Sequence, residues 1–286
     1  MSAVSKEVSL SKADALSGDL KKFIATKWES SNAERFPGPQ PVSIEKVHIP
    51  LLSKNRYLVC EKTDGVRHFL VCFTDSLGRK ICALVNRSFD YELYPLTLPR
   101  DTLLDGELIG NEYIIHDAVC IKGEDLRQKS LTERLTYARS VVKSIIPIQK
   151  LKVKCKNMLE YKDMTQLVLD EKTTDGVIFT PVDEPVRMGT HRTLFKWKPR
   201  ERITIDFYLK NGNFCIQHET KMLIVQKYPE HKEKEGIYEC SFDGDIWEPI
   251  MKRTDKSHPN NKRTYERTLV NIKENIKFCE LVPRKD

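Results

Sequence analysis

The chain has 286 residues, a formal net charge of +7, 40% hydrophobic residues and 31% charged residues. That length and apolar content suit one large or two ordinary soluble domains with a real core, and exclude a disordered chain. No apolar run is long enough to span a bilayer, and the mild basic excess is compatible with a polyanionic partner such as RNA or nucleotide phosphates.

The first residues carry no signal-peptide apolar block, so an intracellular protein is expected. Next, "LSKADALSGDLKKFIATKW" has the spacing of a helix with Leu20, Phe23 and Ile24 on one face. "RFPGPQPVSI" must then run extended, because Pro37, Pro39 and Pro41 forbid a helix. From about Tyr57 to Ile115 the pattern is short β-like runs, which include "RYLVCEK", "RHFLVCF", "KICALVN", "TLLDGELI" and "EYIIHDAVCI". "SLTERLTYARSVVKSII" reads as an amphipathic helix, with Ser130 as N-cap and Glu133 completing a capping box.

"TTDGVIFTP" and "RTLFKWKP" are strand-like again, and Pro199 stops the second. The texture changes at "KPRERIT", which places a domain boundary near residue 200. "ITIDFYLKNGNFCIQHE" is a hairpin, because Asn-Gly favours the positive φ of a tight β-turn. Short strands continue to "DIWEPI". A closing helix, "NNKRTYERTLVNIKENIKF", places Tyr265, Leu269, Ile272 and Ile276 at helical spacing. Residues 201–286 thus form a small β-rich unit with one helix, of the size of an OB-type barrel. The cysteines, Cys60, Cys72, Cys82, Cys120, Cys155, Cys215, Cys240 and Cys279, include no C-x-x-C pair. Reduced core thiols are expected, with neither a zinc ribbon nor a disulfide framework.

The residues that carry chemistry interrupt these strands. In "EKTDG", Lys62 precedes an Asp-Gly pair, which by itself is ordinary turn chemistry. The sharper reading is a lysine nucleophile, deprotonated by nearby cations or desolvation so that its amine can attack phosphorus. Asp64 could steer the amine or contact a ribose. "LLDGEL" brackets Gly106 with Asp105 and Glu107. "HDAV" sets Asp117 in an apolar strand, and "TTDG" sets Asp175 at the mouth of another. Each alone is an ordinary strand-end carboxylate. Together they are what a magnesium–phosphate site needs. In "LFKWKP", period 2 puts Lys196 and Lys198 on one face, where a bound triphosphate would turn their mutual repulsion into binding. "MKRTDKSHPNNKRTYER" is a basic run: a solvated loop on the bland reading, a phosphate or RNA contact on the functional one.

The ordered series KTDG at Lys62, NR at Arg87, DGEL at Asp105, DAV at Asp117, TDGVIF at Asp175, LFKWKP at Lys196 and RTDK at Arg253 resembles the motif set of mRNA capping enzymes, the GTP:RNA guanylyltransferases of the covalent nucleotidyltransferase superfamily. "FPGPQPVSI" is similar to the segment that precedes the lysine motif in eukaryotic-type members. The likeness runs from about Phe36 to the C-terminal helix. It implies an α+β fold: a nucleotidyltransferase domain over residues 1–200, with antiparallel sheets and helices, then a C-terminal OB-fold β-barrel over 201–286, with the helix at about 260–286 a candidate to fold back on the first domain.

The implied reaction transfers GMP from GTP through a covalent lysyl-N-GMP intermediate to the 5′-diphosphate end of RNA, forming the 5′-5′ cap. By motif position, Lys62 would be the nucleophile, and Lys196, Lys198, Arg253, Asp255 and Lys256 would complete the catalytic set. Thr63, Asp64, Arg67, Arg87, Glu107 and Asp175, with Lys196 and Lys198, would bind the nucleotide. Glu107 and Asp175 would hold Mg²⁺ or Mn²⁺, with GTP as substrate. Implied partners are 5′-diphosphate RNA, a separate RNA triphosphatase, and an RNA polymerase II C-terminal tail or a viral transcription complex, with no membrane. The implied location is the nucleus, or a viral factory or virion for a viral protein.

One departure is Met251, which stands where the pattern often has an arginine two residues before Arg253. Neither a Cys-phosphatase loop (H-C-x5-R) nor a methyltransferase G-x-G-x-x-G is present, which suggests a stand-alone guanylyltransferase. A minimal ATP-dependent polynucleotide ligase, with the same covalent lysine, is the alternative. An RNA-binding module with an inactive nucleotide site is a third reading.

Overall fold

The computed structural model describes residues 3–170, 174–228 and 233–283. In chain order the elements are α1 (Ala3–Trp28), β1 (Pro39–Ser43), α2 (Ile49–Lys54), β2 (Tyr57–Thr63), β3 (Val66–Thr74), β4 (Lys80–Asn86), β5 (Tyr91–Leu93), β6 (Thr102–Ile109), β7 (Glu112–Ile121) and β8 (Glu124–Asp125). Then come α3 (Leu131–Ser144), β9 (Lys152–Cys155), β10 (Leu159–Glu160), β11 (Thr174–Pro181) and β12 (Gly189–Trp197). The last set is β13 (Thr204–Lys210), β14 (Asn213–His218), β15 (Lys221–Lys227), β16 (Gly236–Phe242), β17 (Trp247–Lys252), α4 (Lys262–Glu274) and α5 (Phe278–Leu281).

The strands form three sheets: β1-β12-β11-β2-β10, β5-β4-β3-β6-β7-β8 with β9 beside β7, and β15-β14-β13-β16-β17. Apart from the parallel β7–β9 pair, the pairings described strand by strand are antiparallel. The chain divides into two compact units. One holds Met1–Val42, Asn55–Thr174 and Ile178–Phe195; the other holds Ser43–Lys54, Asp175–Val177 and Lys196–Asp286.

In the first unit the seven-stranded sheet is buried on both faces. That explains why "FLVCF" is apolar at every position rather than every second one. Phe69, Val71 and Phe73 pack against Leu16, Leu20, Ile24 and Trp28 of α1. Their neighbours Leu70 and Cys72 face the other way, in one cluster with Ala138 and Val141 of α3. Ser130 caps α3 with the anticipated box: its hydroxyl accepts from the Glu133 N–H, and Glu133 accepts from the Ser130 N–H.

Gly106 is required by close approach. A Cβ there would come within 2.5 Å of the Ile114 carbonyl and 2.7 Å of the Tyr113 ring. Tyr113 is thereby drawn over the β3–β6 ladder, where its hydroxyl accepts from the Leu70 N–H at 3.2 Å. It lies 3.0 Å from the His68 carbonyl and 3.1 Å from that of Leu104.

In the second unit, Asn211 (φ 48°) and Gly212 (φ 67°) make the β13–β14 turn as the Asn-Gly signal anticipates. Phe207, Phe214 and Trp247 form the core with Ile272 and Tyr265 of α4. Leu269, placed on the buried face by its spacing, is instead 36% exposed, because the helix turns only a narrow stripe inward. The sheet is an open path, and among the described residues no ladder joins β15 to β17, so the anticipated OB barrel is not closed by backbone pairing. A side chain bridges the gap. Gln226 on β15 donates to the Trp247 carbonyl at 2.9 Å and accepts the Trp247 N–H at 2.7 Å. The sheet is thus curled and OB-like, with its two edges stitched by one amide.

Asp117, anticipated as a metal-site carboxylate, has another duty. Arg134 of α3 holds it with Nε at 2.6 Å and a second nitrogen at 3.0 Å, and both side chains are buried. Removing one partner of such a pair leaves a buried charge. Arg134→Met should therefore lower unfolding stability by about 3–5 kcal/mol in urea titrations, and adding Asp117→Asn should recover part of that loss.

Candidate active site

Lys62 lies one residue before the end of β2 and is half-buried. Here the chain leaves one sheet and enters another: β2 belongs to the sheet that holds β10, and β3 to the seven-stranded sheet. Asp64 and Gly65 form the crossing, with Asp64 exposed. Gly65 passes so close to β6 that a Cβ would meet Ile109 Cγ1 at 2.8 Å and the Leu108 carbonyl at 3.0 Å. The polar interruption in "EKTDG" is thus a sheet switch, and its glycine is fixed by sterics. The hydroxyl of Thr63 donates to the Glu107 carboxylate on β6, tying the lysine-bearing segment to the next sheet.

Arg67 lies directly opposite Glu107 in the β3–β6 ladder, yet its side chain reaches Asp105. Its Nε donates to Asp105 Oδ1 at 2.9 Å, and one terminal nitrogen donates to Oδ2. The other terminal nitrogen donates to the carbonyl of Pro39. Its guanidinium lies 5.7 Å from the Phe36 ring centre, and Phe36 stacks on Phe69. A Cβ on Gly38 would stand 2.5 Å from the guanidinium. "FPGP" is therefore a wrap over a buried arginine. Arg67 is the clamp of that wrap.

Asp105 is 1% exposed. Burial alone would raise its pKa, but the charge of Arg67 and the nearby His116 outweigh it and hold the carboxyl well below the usual range. His116 Nε2 stands 3.3 Å from Asp105 Oδ1. The ladder register slips between Asp105 and Gly106, where Asp105 faces Asp117 and Gly106 faces Ile115. His116 is the extra residue of that bulge, which is how a strand re-aims one side chain. Sequence reasoning assigned His116 no role; the histidine inside "YIIHDAV" was the available signal. Arg87 follows β4. Its pKa is lowered, first by desolvation and then by the like charge of Arg67, with Asp105 acting the other way. An arginine stays charged through such a shift.

The second unit carries the remaining candidates. Lys196 and Lys198 alternate with buried Phe195 and Trp197, as period 2 requires. The Trp197 indole N–H donates to the Ile276 carbonyl at 2.9 Å, and the Ile44 N–H donates to the Lys196 carbonyl at 2.9 Å. Lys198 pairs with Asp175 at 2.7 Å. Between the two, Gly176 has φ 138°, and a Cβ there would stand 2.0 Å from the Trp197 carbonyl, so TDG and FKWK are locked together through a glycine.

Arg253, Asp255 and Lys256 follow β17. Asp255 takes Arg253 Nε at 2.9 Å and a second nitrogen at 2.8 Å. Hydrogen bonding from Arg253 is the chief cause that brings the Asp255 carboxyl down to about 2. Met251 is 53% exposed on β17 and faces Glu239 across the ladder.

Among the described residues no group of three or more His, Cys, Asp or Glu side chains forms a metal cage. Magnesium needs only one or two carboxylates beside substrate phosphates. Glu107, in the first unit, is a carboxylate of that chemistry, and so is Asp175, in the second. No described helix is long and apolar enough to cross a membrane.

Residues 6–200 match the family model "mRNA capping enzyme, catalytic domain", and residues 144–282 match "mRNA capping enzyme, C-terminal domain". The chain belongs to the mRNA capping enzyme family. The match begins well before Phe36, so α1 is part of the family's domain rather than an addition to it. Similar relatives are "mRNA-capping enzyme subunit alpha" of Neurospora crassa (29% identical, 68% of this chain and 58% of the relative) and of Schizosaccharomyces pombe (26%, covering 92% and 83%). The Danio rerio "mRNA-capping enzyme" is 26% identical over 82% of this chain and 46% of its own length. The chain thus spans about half the length of most of the curated relatives it matches. Among solved structures, "mycobacterial DNA ligase D complexed with ATP and MES" has a TM-score of 0.38 at 13% identity, covering 67% of this chain and 71% of that one, a likeness too slight to argue from.

The clamp has a pH signature. A folded-state carboxyl with a depressed pKa contributes stability above its unfolded value of about 4, and that contribution is lost as pH falls through the lower folded value. Asp105→Asn should therefore cost about 3–5 kcal/mol at pH 7 in urea unfolding. The difference from wild type should narrow as the pH drops below about 4.

Proposed function

We propose that the chain is an mRNA guanylyltransferase acting through Lys62. The supporting observation is that lysine's place: at the edge of a sheet switch fixed by Gly65, with Thr63 tied to Glu107, in a chain of the capping-enzyme family. In the first step the neutral Lys62 amine attacks the α-phosphate of GTP. A P–N bond forms, the α–β P–O bond breaks, and pyrophosphate leaves. In the second step a terminal oxygen of a 5′-diphosphate RNA attacks the lysyl-GMP phosphorus. The P–N bond breaks, the 5′-5′ cap forms, and the lysine is restored.

Lys196 and Lys198 would counter the charge that grows on the α-phosphate. Thr63, Asp64, Arg67 and Arg87 would lie around the nucleoside, with Arg67 also holding the wrap. Arg253, Asp255 and Lys256 would engage the β- and γ-phosphates. Glu107 and Asp175 would hold a divalent ion, which neutralises phosphate charge when bound. Diphosphate RNA would be supplied by an RNA triphosphatase, in this reading a separate partner. A polymerase tail or viral transcription complex as recruiting partner, and a nuclear or viral-factory location, belong to the same reading.

The test is transfer of label from α-labelled GTP with Mg²⁺ or Mn²⁺. Acid-labile label should remain on the denatured wild-type polypeptide and be absent from Lys62→Ala. Label accepted from ATP and refused from GTP would point to a polynucleotide ligase instead, and label on Lys62→Ala would overturn the mechanism.

A further inference from the structure

Asp206, on β13, is a buried carboxylate that the proposed chemistry does not use. It lies directly opposite Glu239 in the β13–β16 ladder. Two like charges facing each other across a ladder destabilise it unless a cation intervenes. Arg253 is that cation: one terminal nitrogen stands 3.1 Å from Asp206 and 3.1 Å from Glu239. The Thr204 hydroxyl orients Glu239 from the far side at 2.6 Å. Lys256 donates to the other oxygen of Asp206.

The backbone of Asp206 holds the same loop. Its N–H donates to the Asn260 side chain at 2.8 Å, and its carbonyl accepts the Asn260 N–H at 2.8 Å. One buried residue therefore fixes Arg253, Lys256 and the loop that carries them. It does so from behind. Arginine has five N–H donors and lysine three. Among the described residues, two of the donors on Arg253 go to Asp255, one to Asp206 and one to Glu239, which leaves one; Lys256 uses one on Asp206, which leaves two. Arg253 keeps 21% and Lys256 34% of its side chain exposed, against 7% for Asp206. The cations are anchored inward and still offer donors outward.

We propose that Asp206 is a positioning residue for the phosphate that leaves: it sets Arg253 and Lys256 for the terminal phosphates of the nucleoside triphosphate, with Glu239 as its auxiliary. This rests on the guanylyltransferase reading. Its distinctive consequence is selectivity between half-reactions, because the β- and γ-phosphates are present only in the first. A residue that merely stabilised the fold would depress both.

The test measures the half-reactions separately. In Asp206→Asn, formation of lysyl-GMP from GTP, and its reversal by added pyrophosphate, should each slow about 10- to 100-fold, the range set by misplacing a substrate-positioning group. Transfer from isolated lysyl-GMP protein to 5′-diphosphate RNA should keep its wild-type rate. Glu239→Gln, which touches Arg253 and leaves Lys256 alone, should show the same selectivity with a smaller loss, and it decides the matter should Asp206→Asn fail to fold. Equal slowing of both half-reactions, or an unaffected first half-reaction in a folded variant, would overturn the assignment to Asp206. Absence of lysyl-GMP in the wild type would overturn the guanylyltransferase reading itself, and this proposal with it.

Discussion

A carboxylate with 1% of its surface exposed stays ionised in the first unit because Arg67 forks onto it. The unit's chemistry-bearing segments are arranged around that pair. Arg67 stands at the start of β3, just past the sheet switch that carries Lys62. The same guanidinium gathers Pro39 and Phe36 from the N-terminal side. Asp105 stands on β6, two residues before the Glu107 that accepts from Thr63. His116 is swung in by a bulge on β7. Neutralising either partner would leave the other charged in a low-dielectric pocket, and strands β3, β6 and β7 with the FPGP wrap would lose their common anchor.

Charge is handled differently in the two units. In the first, the buried pairs Arg67–Asp105 and Arg134–Asp117 are enclosed on nearly every side and serve the fold. In the second, Asp175–Lys198 and the Asp206–Glu239–Arg253–Lys256 group are held by carboxylates at the back while the cations remain partly open. Cations anchored at one end and open at the other suit phosphate binding, since little reorganisation is needed when the anion arrives.

Much of the fold was legible in the sequence. The strands from Tyr57 to Ile121, helix α3 with its Ser130–Glu133 box, and the Asn211–Gly212 hairpin follow from patterning, capping and turn chemistry, all of which are local. The side-chain partnerships were not legible. Asp117 and Asp105 look like Glu107 along the chain. Only the register of β6 against β7 and the position of α3 decide that the first two meet arginines. The short strands β9 and β10 also escape local pattern, because pairing with β7 and β2 defines them. The last seam of the OB-like sheet was not legible either, because among the described residues a glutamine side chain, and no ladder, joins its two edge strands.

The proposed chemistry rests on Lys62 as the residue that takes GMP. Tandem mass spectrometry of peptides from protein incubated with GTP and a divalent ion, kept at alkaline pH to preserve a phosphoramidate, tests this directly. A GMP adduct is expected on Lys62 within "VCEKTDGVR" and on no other lysine. An adduct on Lys196, Lys198 or Lys256, or a protein that releases pyrophosphate with no adduct at all, would contradict it.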